Sequence, residues 1–168
     1  DGALLLDHQQ LLAARGEGSH VVLITSAVPG EGKTTVTYNL AKALALGGAK
    51  VLVIDADLRK PRLHRMIKAK NITGLTSVVL GERTAAEVIH EVPNVPSLDL
   101  ITSGPLPPNP PELFGKASFA NLLEEARKNY DWILIDTSPA ASVTDPVICA
   151  RLAEPLVVLD VDRPVVVE

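Results

Sequence analysis

Five side chains in this sequence have the types and spacing to work on a phosphate: Lys33, Thr34, Asp55, Asp57 and Asp136. Lys33 and Thr34 close the stretch VVLITSAVPGEGKTT (residues 21–35), an apolar run followed by a glycine-bearing loop and the start of a helical pattern. Such a loop turns its backbone N–H groups inward around phosphates, and the helix N-terminus adds partial positive charge beneath them. A lysine here reaches the β- and γ-phosphates of a nucleoside triphosphate, and the threonine hydroxyl ligates Mg²⁺. Pro29, Gly30, Glu31, Gly32, Lys33, Thr34 and Thr35 are therefore the expected nucleotide-binding residues. The usual pattern, G-x-x-x-x-G-K-[ST], would put glycine at position 27, where this chain has Ala27. A glycine turn beside an incidental lysine is the bland alternative.

Asp55 and Asp57 stand two residues apart directly after the apolar run VLVI (51–54). Carboxylates there can serve Mg²⁺, orient metal-bound water or take the proton of an incoming hydroxyl. Helix capping is the competing reading for Asp55, and Asp57 can instead fix Arg59 or cap the following turn. Asp136 follows WILI (132–135). An apolar strand ending in aspartate is the usual partner of a phosphate loop, its carboxylate anchoring Mg²⁺ through the water shell. Thr34, Asp55 and Asp136 are the expected metal-side residues.

For these residues to meet, the runs that precede them must lie side by side. Apolar runs at 21–25, 51–54, 98–101, 132–135 and 156–159 are short and mostly continuous rather than alternating, as in strands buried on both faces. Helix-period segments lie between them, with Val36, Leu40, Ala43 and Leu44 as one stripe and Phe119, Leu122, Leu123, Ala126 and Tyr130 as another. The alternation predicts an α/β, P-loop NTPase-like fold, a mostly parallel sheet with helices on both faces and ligands at the carboxyl ends of its strands. Residues 103–111, SGPLPPNPP, hold five prolines in nine positions. That density argues against helix or central strand and reads as a rigid surface loop in preference to an interdomain linker. Residues 3–14 read as a short amphipathic helix within an N-terminal segment (1–19), and the chain, 1–168, as a single domain.

Hydrophobic residues make up 46% of the chain and aromatics only 3%, so the core must be aliphatic. The net charge of −4 gives no reason to expect nucleic acid as a partner. The basic run Arg59, Lys60, Arg62, Arg65, Lys68 and Lys70 reads as a solvated helix face, with a docking surface for an acidic or phosphorylated segment as the alternative. Cys149 is the only cysteine, which excludes an intramolecular disulfide and a CxxC metal site and suits a reducing cytoplasm. No run approaches the ~18 apolar residues of a membrane span. The start, DGALLLDHQQLLAARGEG, lacks a signal-peptide pattern, so any membrane association is expected through a partner. His64 reads as an exposed turn histidine, and Tyr38 and Tyr130 as core or partly buried residues.

Ala27 to Thr34, the hydrophobic-D-x-D-x-R of Val53 to Arg59 and the hydrophobic-D-x-x-P of Ile133 to Pro139 together resemble the three Walker-type motifs of the bacterial tyrosine kinases, autokinases associated with capsular and exopolysaccharide synthesis. DLRKPRLH (57–64), GLTSVVLGE (74–82), SGPLPPNPPELF (103–114) and VTDPVICARLAEPLVVL (143–159) extend the resemblance over about residues 20–160. It implies ATP and Mg²⁺ as cofactors and transfer of the γ-phosphate to tyrosine in trans. Lys33 would contact the terminal phosphates, Thr34 and Asp136 would hold Mg²⁺, Asp55 would sit near the metal and the acceptor, and Asp57 and Arg59 would complete the catalytic set. The implied partners are the tyrosine-bearing tail of a neighbouring subunit or protein and a membrane-embedded polysaccharide co-polymerase activator, with a cytoplasmic location. The family continues beyond the position of Glu168 with a helix, a strand and a tyrosine cluster, whereas this sequence holds only Tyr38 and Tyr130. Its N-terminal helix carries spaced Glu and Arg residues where this chain offers only Arg15, which leaves oligomers open and counts against a ring. A partition- or septum-site-like ATPase switch and a nucleotide-binding module without kinase activity are the alternatives.

Overall fold

The computed structural model describes residues 17–26 and 32–139, together with the backbone of the strand at 156–160. Six strands, β1 (His20–Thr25), β2 (Val51–Ala56), β3 (Ile89–Glu91), β4 (Leu98–Ile101), β5 (Trp132–Thr137) and β6 (Leu156–Asp160), form one sheet in the order β3-β4-β2-β5-β1-β6. Every pairing is parallel except that of β3 with β4. The five apolar runs are thus the parallel strands, and their lack of alternation has a direct cause. Every residue of β2 and β5 is buried, because helices cover both faces of the sheet.

The two-residue period of a strand sorts these side chains between two cores. Val22, Ile24, Val51, Val53, Trp132 and Leu134 pack with Ala41, Leu44 and Ala45 of helix α1 (Lys33–Leu46), and with Leu63 of the short α2 (Leu63–Met66). On the opposite face Val21, Leu23, Leu52, Ile54, Ile133 and Ile135 pack with residues of α3 (Leu75–Val79), α4 (Ala85–Val88), α5 (Pro110–Phe114) and α6 (Ala117–Asn129). Phe114 and Phe119, the largest wholly buried side chains among the described residues, meet edge to face at 5.2 Å. Continuing the same parity, Asp55 after Val53 and Asp136 after Leu134 point to the α1 face, toward the helix that begins with Lys33 and Thr34.

Several local expectations need correction. The buried side of α1 is Lys33, Thr37, Ala41, Leu44 and Ala45, whereas Val36 is exposed. Small residues and a threonine whose hydroxyl donates to the Lys33 carbonyl (2.9 Å) let this helix lie close to the sheet, so its packed face is not its most apolar one. The stripe expected on α6 does face the core, through Phe119, Leu122, Leu123 and Ala126. The proline-rich stretch does enter a helix, because α5 starts at Pro110, in the first turn, where an N–H has no intrahelical partner to lose. His64 is half-buried within α2 rather than exposed. Tyr130 is half-buried just past α6, and its hydroxyl donates to Asp99 at 2.7 Å. Among the described residues no helix is long and apolar enough to cross a membrane. The expected helix at 3–14, the loop residues Ala27 to Glu31, Arg15 and Cys149 lie outside the described residues.

Candidate active site

The site begins where β1 gives way to α1. Gly32 takes a left-handed conformation (φ 75°) that lets the chain turn directly into the helix at Lys33. The first turn of α1 holds no acidic residue and no side-chain cap, so no side chain of its own competes with an anion for the N-terminal N–H groups. Thr35 is exposed on this turn, Thr34 is half-buried, and Lys33 is buried.

Strand register brings the carboxylates to the same place. Asp136 of β5 lies level with Asp55 of β2 on one side and Ile24 of β1 on the other. Neighbouring strands are about 4.8 Å apart, so the two aspartates stand side by side. The Lys33 ammonium pairs with Asp136 Oδ1, and the Thr34 hydroxyl donates to Asp136 Oδ2 at 2.9 Å. Asp55 is wholly buried and accepts three backbone donors, Asp57 N–H (3.2 Å) on Oδ1 and Arg62 N–H (3.2 Å) and Leu63 N–H (3.1 Å) on Oδ2. Asp57 Oδ1 accepts Arg59 N–H (3.3 Å), Lys60 N–H (3.0 Å) and the Ser138 hydroxyl (3.2 Å). Asp57 therefore does cap the following turn, while remaining next to the third motif. The Arg59 side chain is exposed.

The structure thus brings Lys33, Thr34, Asp55, Asp57 and Asp136 into one cluster. Ser138 joins it unannounced, as do two hydroxyls that tie the carboxyl ends of β1 and β5 together. The Thr137 hydroxyl donates to the Ile24 carbonyl (2.9 Å) and the Thr25 hydroxyl to the Ser138 carbonyl (3.3 Å). A run of small hydroxyl residues immediately past an apolar strand was the available signal.

Burial pushes the Asp55 carboxyl up to about 8, the neighbouring Asp136 and Asp57 charges adding to the rise and the Leu63 and Asp57 N–H groups opposing it. Burial also raises Asp136, and the Lys33 and Thr34 contacts only partly offset it. The folded protein therefore keeps a proton on Asp55 that the unfolded chain has released above about pH 4. The stabilisation is full below that pH, declines as pH rises to about 8, and changes no further beyond. Without added divalent metal, urea unfolding should show stability falling over this window by up to about 1.4 kcal/mol per pH unit. Asp55→Asn should flatten the profile, and an unchanged slope in that variant would place the titration elsewhere.

Among the described residues no group of three or more His, Cys, Asp or Glu side chains forms a ready-made metal cage. Mg²⁺ does not need one, since it is commonly held by one or two carboxylates together with substrate phosphates and water. The hydroxyl of Thr34 and the carboxylate of Asp136, converging at the helix N-terminus, supply the hard oxygen donors that this ion takes. Asp55 Oδ2 already accepts two N–H groups, which leaves its spare lone pair on Oδ1.

A parallel sheet with Gly-Lys-Thr at the first strand-to-helix turn and an aspartate ending an adjacent strand defines a P-loop nucleotide-binding domain. A family model described as an AAA domain matches residues 19–161. The tyrosine-protein kinase YwqD of Bacillus subtilis is 46% identical over 133 residues, covering 79% of this chain and 56% of that protein. The kinase domain of Escherichia coli tyrosine kinase ETK superposes with a TM-score of 0.82 at 34% identity, over 89% of this chain and 59% of that one. The VpsO kinase domain does so with a TM-score of 0.80 at 36% identity, over 88% and 72%. The chain belongs to the bacterial tyrosine-kinase family of AAA-type domains. It spans little more than half the length of the Bacillus relative.

Proposed function

We propose that this domain transfers the γ-phosphoryl group of Mg-ATP to a tyrosine presented in trans, by the tail of a neighbouring subunit or partner protein. The observation that carries the reading is the pairing of Asp55 with Asp136. Asp55 lies level with Asp136, faces the Lys33 helix terminus and keeps a high proton affinity, which suits a base for a phenolic acceptor. Lys33 draws charge from the terminal phosphates, and Thr34 with Asp136 would hold Mg²⁺, which when bound neutralises charge on the phosphate oxygens. The tyrosine oxygen forms the new bond to the γ-phosphorus as the bond to the ADP oxygen breaks. Asp55 acts in its ionised form, whose fraction grows as pH rises toward about 8, and in that form receives the phenolic proton, with Asp57 fixing the turn beside it. The family resemblance supports a cytoplasmic setting with a membrane-embedded polysaccharide co-polymerase as activator.

The test is incubation of the chain with γ-labelled ATP, Mg²⁺ and a tyrosine peptide. Label on tyrosine, abolished by EDTA, is the expected result. Release of free phosphate with no labelled tyrosine would transfer the site to the ATPase-switch reading, and Mg-ATP binding with neither product to a binding module.

A further inference from the structure

From Leu58 to Gly81 the chain has no acidic residue and six cations, Arg59, Lys60, Arg62, Arg65, Lys68 and Lys70, within a protein of net charge −4. All six are exposed. Among the described residues, Lys60, Arg62, Arg65, Lys68 and Lys70 form no ion pair with a carboxylate. They do not lie along a solvated helix face, because α2 is only four residues long and the rest of the run is turn and bend. Lys68 takes a left-handed conformation (φ 53°), and the Ala69 N–H closes back onto the His64 carbonyl at 2.9 Å. The cations therefore project from a compact knuckle.

The motif carboxylates hold that knuckle in place. Asp57 accepts the N–H groups of Arg59 and Lys60, Asp55 accepts those of Arg62 and Leu63, and Leu63 is buried in the α1-face core. Through the Asp55 to Asp136 register the knuckle has a fixed position relative to Lys33 and Thr34. Met66 and Ile72, 37% and 68% exposed, add apolar contact surface within and just after it. Uncompensated like charges on a rigid support repel one another until an anion neutralises them, and they speed the arrival of a complementary partner.

We infer that the 59–72 knuckle is the docking surface for the acceptor, and that the acceptor is an acidic polypeptide segment carrying the tyrosine with apolar neighbours. The inference rests on the phosphotransfer reading above and adds to it the chemistry of the substrate. Six of the 16 Lys and Arg residues of an acidic chain fall in this one knuckle, unlike the broad footprint that a nucleic acid requires.

Binding can be measured separately from transfer, using fluorescence anisotropy of a labelled acidic peptide in which phenylalanine replaces tyrosine. The full chain is compared with the triple variant Arg65→Glu, Lys68→Glu, Lys70→Glu, whose residues are exposed and outside the site. The variant should bind this peptide about tenfold or more weakly, and a neutral peptide of the same length equally in both proteins. Raising salt from 50 to 300 mM should weaken the parent protein several-fold and the variant much less. In the transfer assay KM for an acidic tyrosine peptide should rise by a similar factor, with kcat and the KM for ATP unchanged. Equal acidic-peptide affinity in the two proteins overturns the inference. So does parent protein that binds anionic phosphatidylserine vesicles or single-stranded DNA more tightly than the acidic peptide. If the affinity difference is found but no tyrosine is ever labelled, the surface stands and the kinase reading fails.

Discussion

Lys33→Met is expected to reduce phosphoryl transfer by roughly a hundred- to a thousand-fold, the usual loss when one preorganised positive donor to a developing charge is removed. It should also destabilise the fold, for a reason independent of nucleotide. Lys33 is 6% exposed and Asp136 is wholly buried, so the variant leaves a carboxylate in the core that, among the described residues, keeps the Thr34 hydroxyl as its side-chain donor. Removing one partner of a buried pair typically costs about 3–5 kcal/mol. Asp136 can relieve that by taking a proton, since burial has already raised its proton affinity. The loss should therefore be largest at pH 8 and shrink toward pH 5. Adding Asp136→Asn should restore much of the stability and none of the transfer. Urea unfolding of the two single variants and the double variant measures the coupling. A Lys33→Met protein as stable as its parent at pH 8 would show that the pair contributes nothing.

Gly74→Ala should be the most damaging small substitution away from the site. A Cβ at Gly74 would lie 2.2 Å from the Thr102 carbonyl oxygen and 2.5 Å from Gly104 N, and both neighbours are backbone. Relief requires separating two segments joined by Leu75 N–H to Thr102 O (2.8 Å), Thr76 N–H to Ser103 O (3.0 Å) and the Asn71 side chain on Gly104 N–H (2.8 Å). A loss of about 3 kcal/mol or more is expected from the clash and the broken bonds together. Gly81→Ala is the control. That glycine also sits in a turn, at φ 77° with open space around it, so alanine there should cost only about 1–2 kcal/mol. Equal thermal midpoints for the two variants would refute the close-approach argument. Because the clamped segment leads into the proline-rich loop, Gly74→Ala should also increase proteolysis within residues 103–109.

The two variants draw on different kinds of information. Asp55 and Asp136 were readable because each follows an apolar run, and strand parity then turns both toward the helix that begins with Lys33, itself readable from the Gly-Lys-Thr that opens that helix. The parallel strands were readable for the same reason, as unbroken aliphatic runs. β3 was not, since three partly exposed residues at a sheet edge carry no pattern of their own. The packed face of α1 was misread because close approach to a sheet selects small side chains, and Thr37, Ala41 and Ala45 carry little apolar signal. The attachment of the basic run to Asp55 and Asp57 was invisible because its donors are backbone N–H groups, which every residue but proline has. Gly74 was hidden likewise, since its neighbours come from a segment nearly thirty residues away.

Trp132 opens β5, the strand that carries Asp136 near its other end, and it is the chain's single tryptophan. It is 2% exposed, and its ring lies against that of His20 with centroids 4.6 Å apart and planes tilted by 34°. Four residues of extended chain, about 13 Å, separate it from Asp136. The molecule therefore carries its own optical probe, set at the far end of the strand from the chemistry. Its emission reads the integrity of β5 while staying out of direct contact with whatever occupies the phosphate end, so unfolding can be followed without a label whether or not that end is occupied.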